Sequence, residues 1–274
     1  MSEPENVPPG VDLDKASPAR LYDYYLGGKD NYPIDREAAE RIRAVVPELE
    51  DIAWANRGFL QRAVHRLAAL GIRQFIDVGA GLPTQNNTHQ VAQAVDPAAR
   101  VLYADNDPMV LAHARALLAG SPDTAAITAD LREPEELLGQ PAVRELIDFT
   151  QPVALLLVAV LHFIGDEDDP RGLIGRYLDA LPPGSYLALS HGTADHQAPQ
   201  ALRVIDGVYS KATANAFFRT RDEIAGFFDG LELLPPHEGS APGVAFSGDW
   251  GADDPESSDS DGSRWVYCGV ARVP

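Results

Sequence analysis

The residues with the most chemical content lie in Phe75-Ile76-Asp77-Val78-Gly79-Ala80-Gly81-Leu82-Pro83-Thr84. A short apolar run carries an acid, then two glycines one residue apart, then a predicted helix start. Gly79 and Gly81 let backbone approach a ligand where a Cβ would collide. A dinucleotide turn of the G-x-G-x-x-G type needs a third glycine at position 84. Thr84 stands there, and Pro83 has no N–H to offer a pyrophosphate. The turn suits a ligand that lies against glycines and brings no diphosphate.

S-adenosylmethionine is such a ligand, and two further acids fit it. Val101-Leu102-Tyr103-Ala104-Asp105 reads as a second strand ending in an acid, and Ala125 to Thr128 as a third, followed by Asp130. An acid after the second strand can accept from two ribose hydroxyls, as in dinucleotide folds. Solubilising loop acids would look the same at one strand end; three successive ends are harder to explain that way. Two imidazoles follow later strands: His162 in Leu161-His162-Phe163, and His191 in Ser190-His191-Gly192-Thr193. Each is a candidate general base where an acceptor and a methyl group would meet. A metal site from His191, Asp195 and His196 lacks regular ligand spacing, so no metal is expected.

The order Asp-x-Gly-x-Gly, Asp105, Asp130, then Leu161 to Asp166 resembles a class I S-adenosylmethionine-dependent methyltransferase. More narrowly, Ala19 through Tyr32, Ala55 through Leu60, Tyr103 through Pro108, Leu155 through Ile164, Phe218 through Arg221 and Phe227 through Glu232 are similar to an actinobacterial S-adenosyl methyltransferase family. That family was long known only as a domain of unknown function. The resemblance spans about Ser17 to Val273 and implies a fold and a cofactor, but no substrate. With the geometry of the fold it implies these contacts. Gly79 and Gly81 admit the amino-acid and ribose portions. Asp105 accepts from the ribose and Asn106 flanks the adenine. Asp130 and the Leu131 N–H meet the adenine edge. Asp77 orders the turn, and Arg20 or Arg57 pairs the methionine carboxylate, with Tyr25 beside Arg20 on the first helix. A Leu-His pair at positions like Leu161-His162 also occurs in class I methyltransferases with unrelated acceptors, which favours a structural or cofactor-adjacent role for His162.

Composition narrows the partners. The 274 residues carry 41 acids against 22 bases, a net charge of −19. Nucleic acid or an anionic membrane would meet a repulsive field, so neither is expected, and a small-molecule acceptor is. The single cysteine, Cys268, excludes an internal disulfide or a multi-cysteine zinc site. No apolar run reaches membrane-span length and Met1 to Val11 lacks a signal pattern, so a cytoplasmic protein is expected.

The elements that must position these groups follow from pattern. Residues 1–16 read as a disordered N-terminus. Residues 17–73 read as a helical cap: Ser17-Pro18 starts one helix that Gly27-Gly28 stops, a second runs Asp35–Val46, and a third Leu49–Leu70. These helices could form a lid, with Gly27-Gly28 as hinge. Residues 74–274 read as a doubly wound α/β domain, its seven-stranded Rossmann-like sheet made of six parallel strands and one antiparallel. Val153–Val160 is apolar at every position, hence a central parallel strand. Asp107-Pro108 opens a helix that Gly120 closes. A helical insertion is expected near 196–219, with its helix at about Pro199–Phe218, and Thr220-x-x-Glu223 is a capping box. Residues 251–263, rich in Asp, Ser and Gly, read as a flexible acidic loop. Two other functions share these features: a non-catalytic S-adenosylmethionine-binding regulatory module, which would show no turnover, and a nicotinamide dinucleotide oxidoreductase, which Pro83 and Thr84 oppose.

Overall fold

A computed structural model describes residues 7–83, 86–118 and 121–274, side chains at 256 and 257 excepted. Three helices come first: α1 (Pro18–Tyr25), α2 (Pro33–Arg43) and α3 (Leu49–Ala69). Strands and helices then alternate: β1 (Gln74–Val78), α4 (Thr88–Val95), β2 (Arg100–Asp105), α5 (Pro108–Leu117), β3 (Thr124–Thr128), α6 (Pro134–Gly139), α7 (Pro141–Leu146), β4 (Ala154–Val158), α8 (Pro170–Asp179) and β5 (Tyr186–Gly192). The chain ends with α9 (Pro199–Tyr209), α10 (Arg221–Ala225), β6 (Glu232–Leu233), β7 (Ala245–Phe246), α11 (Pro255–Ser258) and β8 (Val266–Arg272). Proline at the first helical position opens α1, α2, α5, α8 and α9, where its missing N–H costs nothing and its φ is preset.

The sheet order is β3-β2-β1-β4-β5-β8-β6, with β7 also on β8. Strands β1 to β5 are parallel, and β8 runs antiparallel to β5. Two two-residue strands share the outer edge of β8, β6 at Ala271–Arg272 and β7 at Tyr267–Cys268. The expected doubly wound sheet with one antiparallel strand is present, and β7 is an addition too short to show a period in sequence. Strand order reverses between β1 and β4, which opens a crevice beyond their carboxyl ends.

Alternation along β1 splits the core. Phe75 packs with Phe59, Val64 and Leu67 of α3, whereas Ile76 and Val78 pack with Leu137, Val143 and Leu173 on the other face. A third apolar cluster joins α1, α2 and the start of α3 to α9, through Leu21, Tyr25, Ile42, Ile205 and Val208. The cap is therefore built from the N-terminal helices together with α9.

Several expectations change. Residues 1–6 of the supposed disordered N-terminus, Thr84 as a helix start and Gly120 as a helix stop lie outside the described residues. Within 7–16, Ala16 is buried, and the carbonyls of Asp12 and Lys15 accept from Arg20. The helix after β1 begins at Thr88, where Asn87 and Gln90 form a capping box. The helix expected over 199–218 ends at Tyr209, and the chain continues without helix to Phe218. The Gly27–Gly28 turn is fastened: the Asp23 carboxylate accepts from the Asp30 N–H at 2.9 Å and from Asn31 Nδ2 at 2.7 Å. The 251–263 segment docks on α3. The Gly262 N–H donates to the Asp51 carboxylate, Ser260 and Ser263 exchange hydrogen bonds, and Ser263 is fully buried. Its polar composition serves internal hydrogen bonds that sequence cannot display.

Candidate active site

A cavity of about 640 Å³ occupies the crevice at the strand-order reversal. Its floor is Asp77–Gly81 after β1, Asp105–Pro108 after β2, Ala129–Arg132 after β3 and Val158–Val160 after β4. Arg20, Tyr22 and Tyr25 of α1 and Asn56 and Arg57 of α3 close it from above, and Phe163, Tyr209, Phe217 and Phe218 wall one end.

The polar end is set by glycines and acids. Gly79 and Gly81 have φ of 72° and 66°, in the left-handed region. A Cβ on Gly79 would overlap Val160, whereas one on Gly81 would meet no atom within 4 Å. Gly79 is thus required by the protein's own packing, and Gly81 keeps room for something else. Asp105 holds the turn with both oxygens, accepting from the Gly81 N–H at 2.9 Å and the Asp107 N–H at 2.9 Å. Asp77 accepts from Thr88 Oγ1 at 2.6 Å and so ties the turn to α4. Burial pushes the carboxyls of both Asp77 and Asp105 up to about 6. Asp130 behaves oppositely: Arg132 grips both its oxygens and holds its carboxyl below the usual range.

The two arginines differ. Arg20 is buried and its Nε donates to Asp35 Oδ2 at 2.8 Å, an acid that is itself fully buried. Its Nη2 donates to the carbonyls of Asp12 and Lys15, so its charge is matched inside the cap. Arg57 donates to Asn87 Oδ1 at 3.1 Å and lies close enough to lower the Asp77 carboxyl. Arg57 is the better placed cation for an anionic group above the glycine turn.

A buried polar chain sets the strand-β4 side. Ala159 carries a φ of 54°, a strained value for a residue with a Cβ. Its N–H donates to Ser190 Oγ at 2.9 Å, Ser190 Oγ donates to Asn56 Oδ1 at 2.6 Å, Asn56 Nδ2 donates to Tyr22 Oη at 2.9 Å, and Tyr22 donates to the Ala53 carbonyl at 3.0 Å. Floor and roof of the cavity are thereby held in one register.

The histidines separate. His162 lines the cavity from a 3-10 turn, Leu161–Phe163, with its Nδ1 facing the Gly192 N–H at 3.4 Å. Burial and Arg219 lower its pKa to about 4, so it is neutral at physiological pH. His191 does not line the cavity. It is fully buried, its Nδ1–H donates to the Gly192 carbonyl at 2.7 Å, and its Nε2 accepts from Arg219 Nη1 at 2.8 Å. Both ring nitrogens are used, so the expectation of a catalytic His191 is replaced by a structural one. Arg219 continues to the Ile164 carbonyl and Asp166, tying β5 to the turn that carries His162.

The comparisons fit this geometry. A family model described as S-adenosyl methyltransferase matches residues 4–274. The chain belongs to the S-adenosyl methyltransferase family. It is similar to a candidate methyltransferase from Thermobifida fusca YX, at 42% identity and TM-score 0.88 over 97% of each chain. It is equally similar to a DUF574 family protein from Streptomyces avermitilis MA-4680, at 42% identity and TM-score 0.88 over 96% of this chain and 99% of that one. OxaC in complex with SAH and oxaline shares the fold alone, at 15% identity and TM-score 0.50 over 78% of this chain and 47% of that one. No curated protein matches the chain.

The methyltransferase uses S-adenosylmethionine as methyl donor. The cavity can hold it: open space beside Gly81, carboxylates at Asp77 and Asp105, and a cation at Arg57 suit a ligand with hydroxyls, a carboxylate and a sulfonium. Of the residues singled out in sequence, Asp77, Gly79, Gly81, Asp105, Asn106, Asp130, Leu131, Arg20, Tyr25, Arg57 and His162 line the one cavity. Tyr25 belongs to its aromatic end, beside Tyr209. Sequence reasoning missed Asn56, Ser190 and Arg219. Asn56 left a signal: an amide on a largely apolar buried helix stripe needs partners.

Proposed function

We propose that this methyltransferase moves the methyl group of S-adenosylmethionine to a small-molecule acceptor held in the aromatic end of the same cavity. The observation that carries the reading is the cavity's division into an acidic, glycine-lined end and an aromatic end that meet at Val158–Val160 and His162. When bound, S-adenosylmethionine supplies a methyl group already activated by its sulfonium. The protein's part is alignment and exclusion of water. Asp105 accepts from the ribose hydroxyls, while keeping its two backbone donors. Asn106 flanks the adenine, and Leu131 and Asp130 meet its edge, Asp130 with its orientation fixed by Arg132. Arg57 pairs the methionine carboxylate. The strained Ala159, pinned through Ser190 and Asn56, fixes the strand end past which the acceptor must approach. His162, neutral and only weakly basic, borders that point.

Calorimetry with S-adenosylmethionine, then mass-spectrometric detection of S-adenosylhomocysteine with an acceptor pool, tests the reading. Binding with turnover is expected. Absence of binding overturns it; binding with no turnover across a broad pool favours a non-catalytic sensor.

A further inference from the structure

The two ends of the cavity are separated by the sheet itself. From the end of β2, with Asp105, to the end of β5, with Gly192, is three strand spacings, roughly 15 Å. The far end is walled by rings. Phe163 and Tyr209 lie with centroids 5.6 Å apart and planes 41° from parallel. Phe218 sits so close to the chain at Gly192 that a Cβ there would come within 2.9 Å of its ring. Such a wall favours flat aromatic surface.

Its polar content is sparse and specific. Tyr25 is 5% exposed, yet its hydroxyl has no hydrogen-bond partner of normal geometry among the described residues. It faces the Tyr209 hydroxyl. A buried hydroxyl whose neighbour is a poorly aligned second hydroxyl is under-satisfied, and a ligand group that completes it is favoured.

Charge and proton transfer narrow the ligand further. Among the described residues no lysine lines the cavity, and its arginines each face an acid: Arg20 faces Asp35, Arg57 faces Asp77, Arg132 faces Asp130. Glu167 and Asp168 stand on the exposed rim. A carboxylate or phosphate on the acceptor would meet acids. Among the described residues this end also holds no buried base poised to take a proton. Tyr22 is engaged both as donor and as acceptor, the Nδ1 of His162 faces a backbone N–H, and His191 is tied at both nitrogens. The accepting atom must therefore be nucleophilic without first losing a proton.

We propose that the acceptor is an uncharged, planar aromatic nitrogen compound, seated among Phe163, Tyr209 and Phe217 with a polar substituent on the Tyr25 hydroxyl, and that it is methylated on nitrogen. This inference rests on the methyl-transfer reading above. The nitrogen lone pair forms the new N–CH₃ bond as the S–CH₃ bond breaks, and that electron pair stays on sulfur, leaving neutral S-adenosylhomocysteine. The positive charge passes to nitrogen. A ring nitrogen without hydrogen keeps it, and an aryl amine releases a proton to water. A cationic product leaves past Glu167 and Asp168, whose charge suits it.

The test uses the full chain, S-adenosylmethionine and four probes of one size: isoquinoline, 6-hydroxyisoquinoline, 2-naphthol and 2-naphthoate. Calorimetry first establishes donor binding, and mass spectrometry then follows methylated product. Both isoquinolines are expected to be methylated on nitrogen at neutral pH, 2-naphthol at least about tenfold more slowly, and 2-naphthoate not at all. Tyr25→Phe should raise KM for 6-hydroxyisoquinoline about three- to tenfold more than it changes KM for isoquinoline. Donor binding without methylation of either isoquinoline overturns the acceptor class alone, as does preferred turnover of 2-naphthol or 2-naphthoate. Absence of donor binding removes the methyl-transfer reading and this one with it. An unchanged KM for 6-hydroxyisoquinoline in Tyr25→Phe overturns the Tyr25 contact.

Discussion

Cofactor affinity should fall as pH is lowered through 6, and Asp105 should account for much of the effect. Burial raises the carboxyls of Asp77 and Asp105 from 3.8 to about 6 in the protein without ligand. A folded pKa above the unfolded one means that protonation stabilises the fold. That contribution is complete below the unfolded pKa of about 4 and is lost as pH rises through 6. Two pK units at about 1.4 kcal/mol each correspond to roughly 3 kcal/mol per group. The donor acts in the opposite sense, because ribose hydroxyls and a sulfonium both favour ionised carboxylates. Binding must then expel protons below pH 6. Each carboxyl that has to ionise weakens affinity by about tenfold per pH unit in that range. Calorimetry from pH 5 to pH 7.5, in two buffers of different ionisation heat, reads both the affinity and the protons released. Asp105→Asn should bind S-adenosylmethionine at least about tenfold more weakly at pH 7, since charge-assisted hydrogen bonds contribute about 1.5–3 kcal/mol. It should also release fewer protons at pH 5.5. The asparagine carbonyl can accept from only one of the two backbone N–H groups that Asp105 now satisfies, so a modest loss of stability should accompany it. Equal affinity at pH 5 and pH 7.5, with no proton release, would refute the placement of the donor against Asp105.

Three other outcomes are expected. Gly81→Ala should cost about 1–2 kcal/mol in stability from its left-handed φ while sharply weakening donor binding; Gly79→Ala should cost more in stability, because its Cβ also meets Val160, and chemical denaturation beside calorimetry separates the two. Arg20→Ala should destabilise by about 3–5 kcal/mol, since it leaves the buried Asp35 unpaired, and urea unfolding reads this; a fully stable variant that only loses donor affinity would return Arg20 to the role of carboxylate ligand. Replacing residues 252–261 by a short Gly-Ser link should lower the melting temperature, by loss of the Ser260–Ser263 hydrogen bonds beneath the Asp51–Gly262 contact, yet leave donor affinity unchanged.

Sequence by itself determined whatever rests on local backbone chemistry. The Asp77-x-Gly79-x-Gly81 turn was legible because only glycine adopts positive φ freely, and both glycines do. The strand over 154–158 was legible because burial on both faces leaves no polar position. Asp107 and Thr220 were legible as helix caps because an N-cap oxygen needs a partner only two or three residues on. The acids collected at one sheet edge followed from the rule for parallel sheets. Tertiary structure decided which polar groups are already spent. Arg20 looks like a ligand until Asp35 is found beneath it. His191 looks like a base until Arg219, 28 residues away, occupies its free nitrogen. Asn56 acquires its purpose only from Ser190, 134 residues on. The 251–263 segment has a flexible composition, but Asp51 fastens it from 211 residues before Gly262. The reason is range. Propensity, capping and turn chemistry act over a few residues and leave a pattern in the sequence, whereas a side chain's last hydrogen-bond partner is chosen by packing between segments that carry no record of each other.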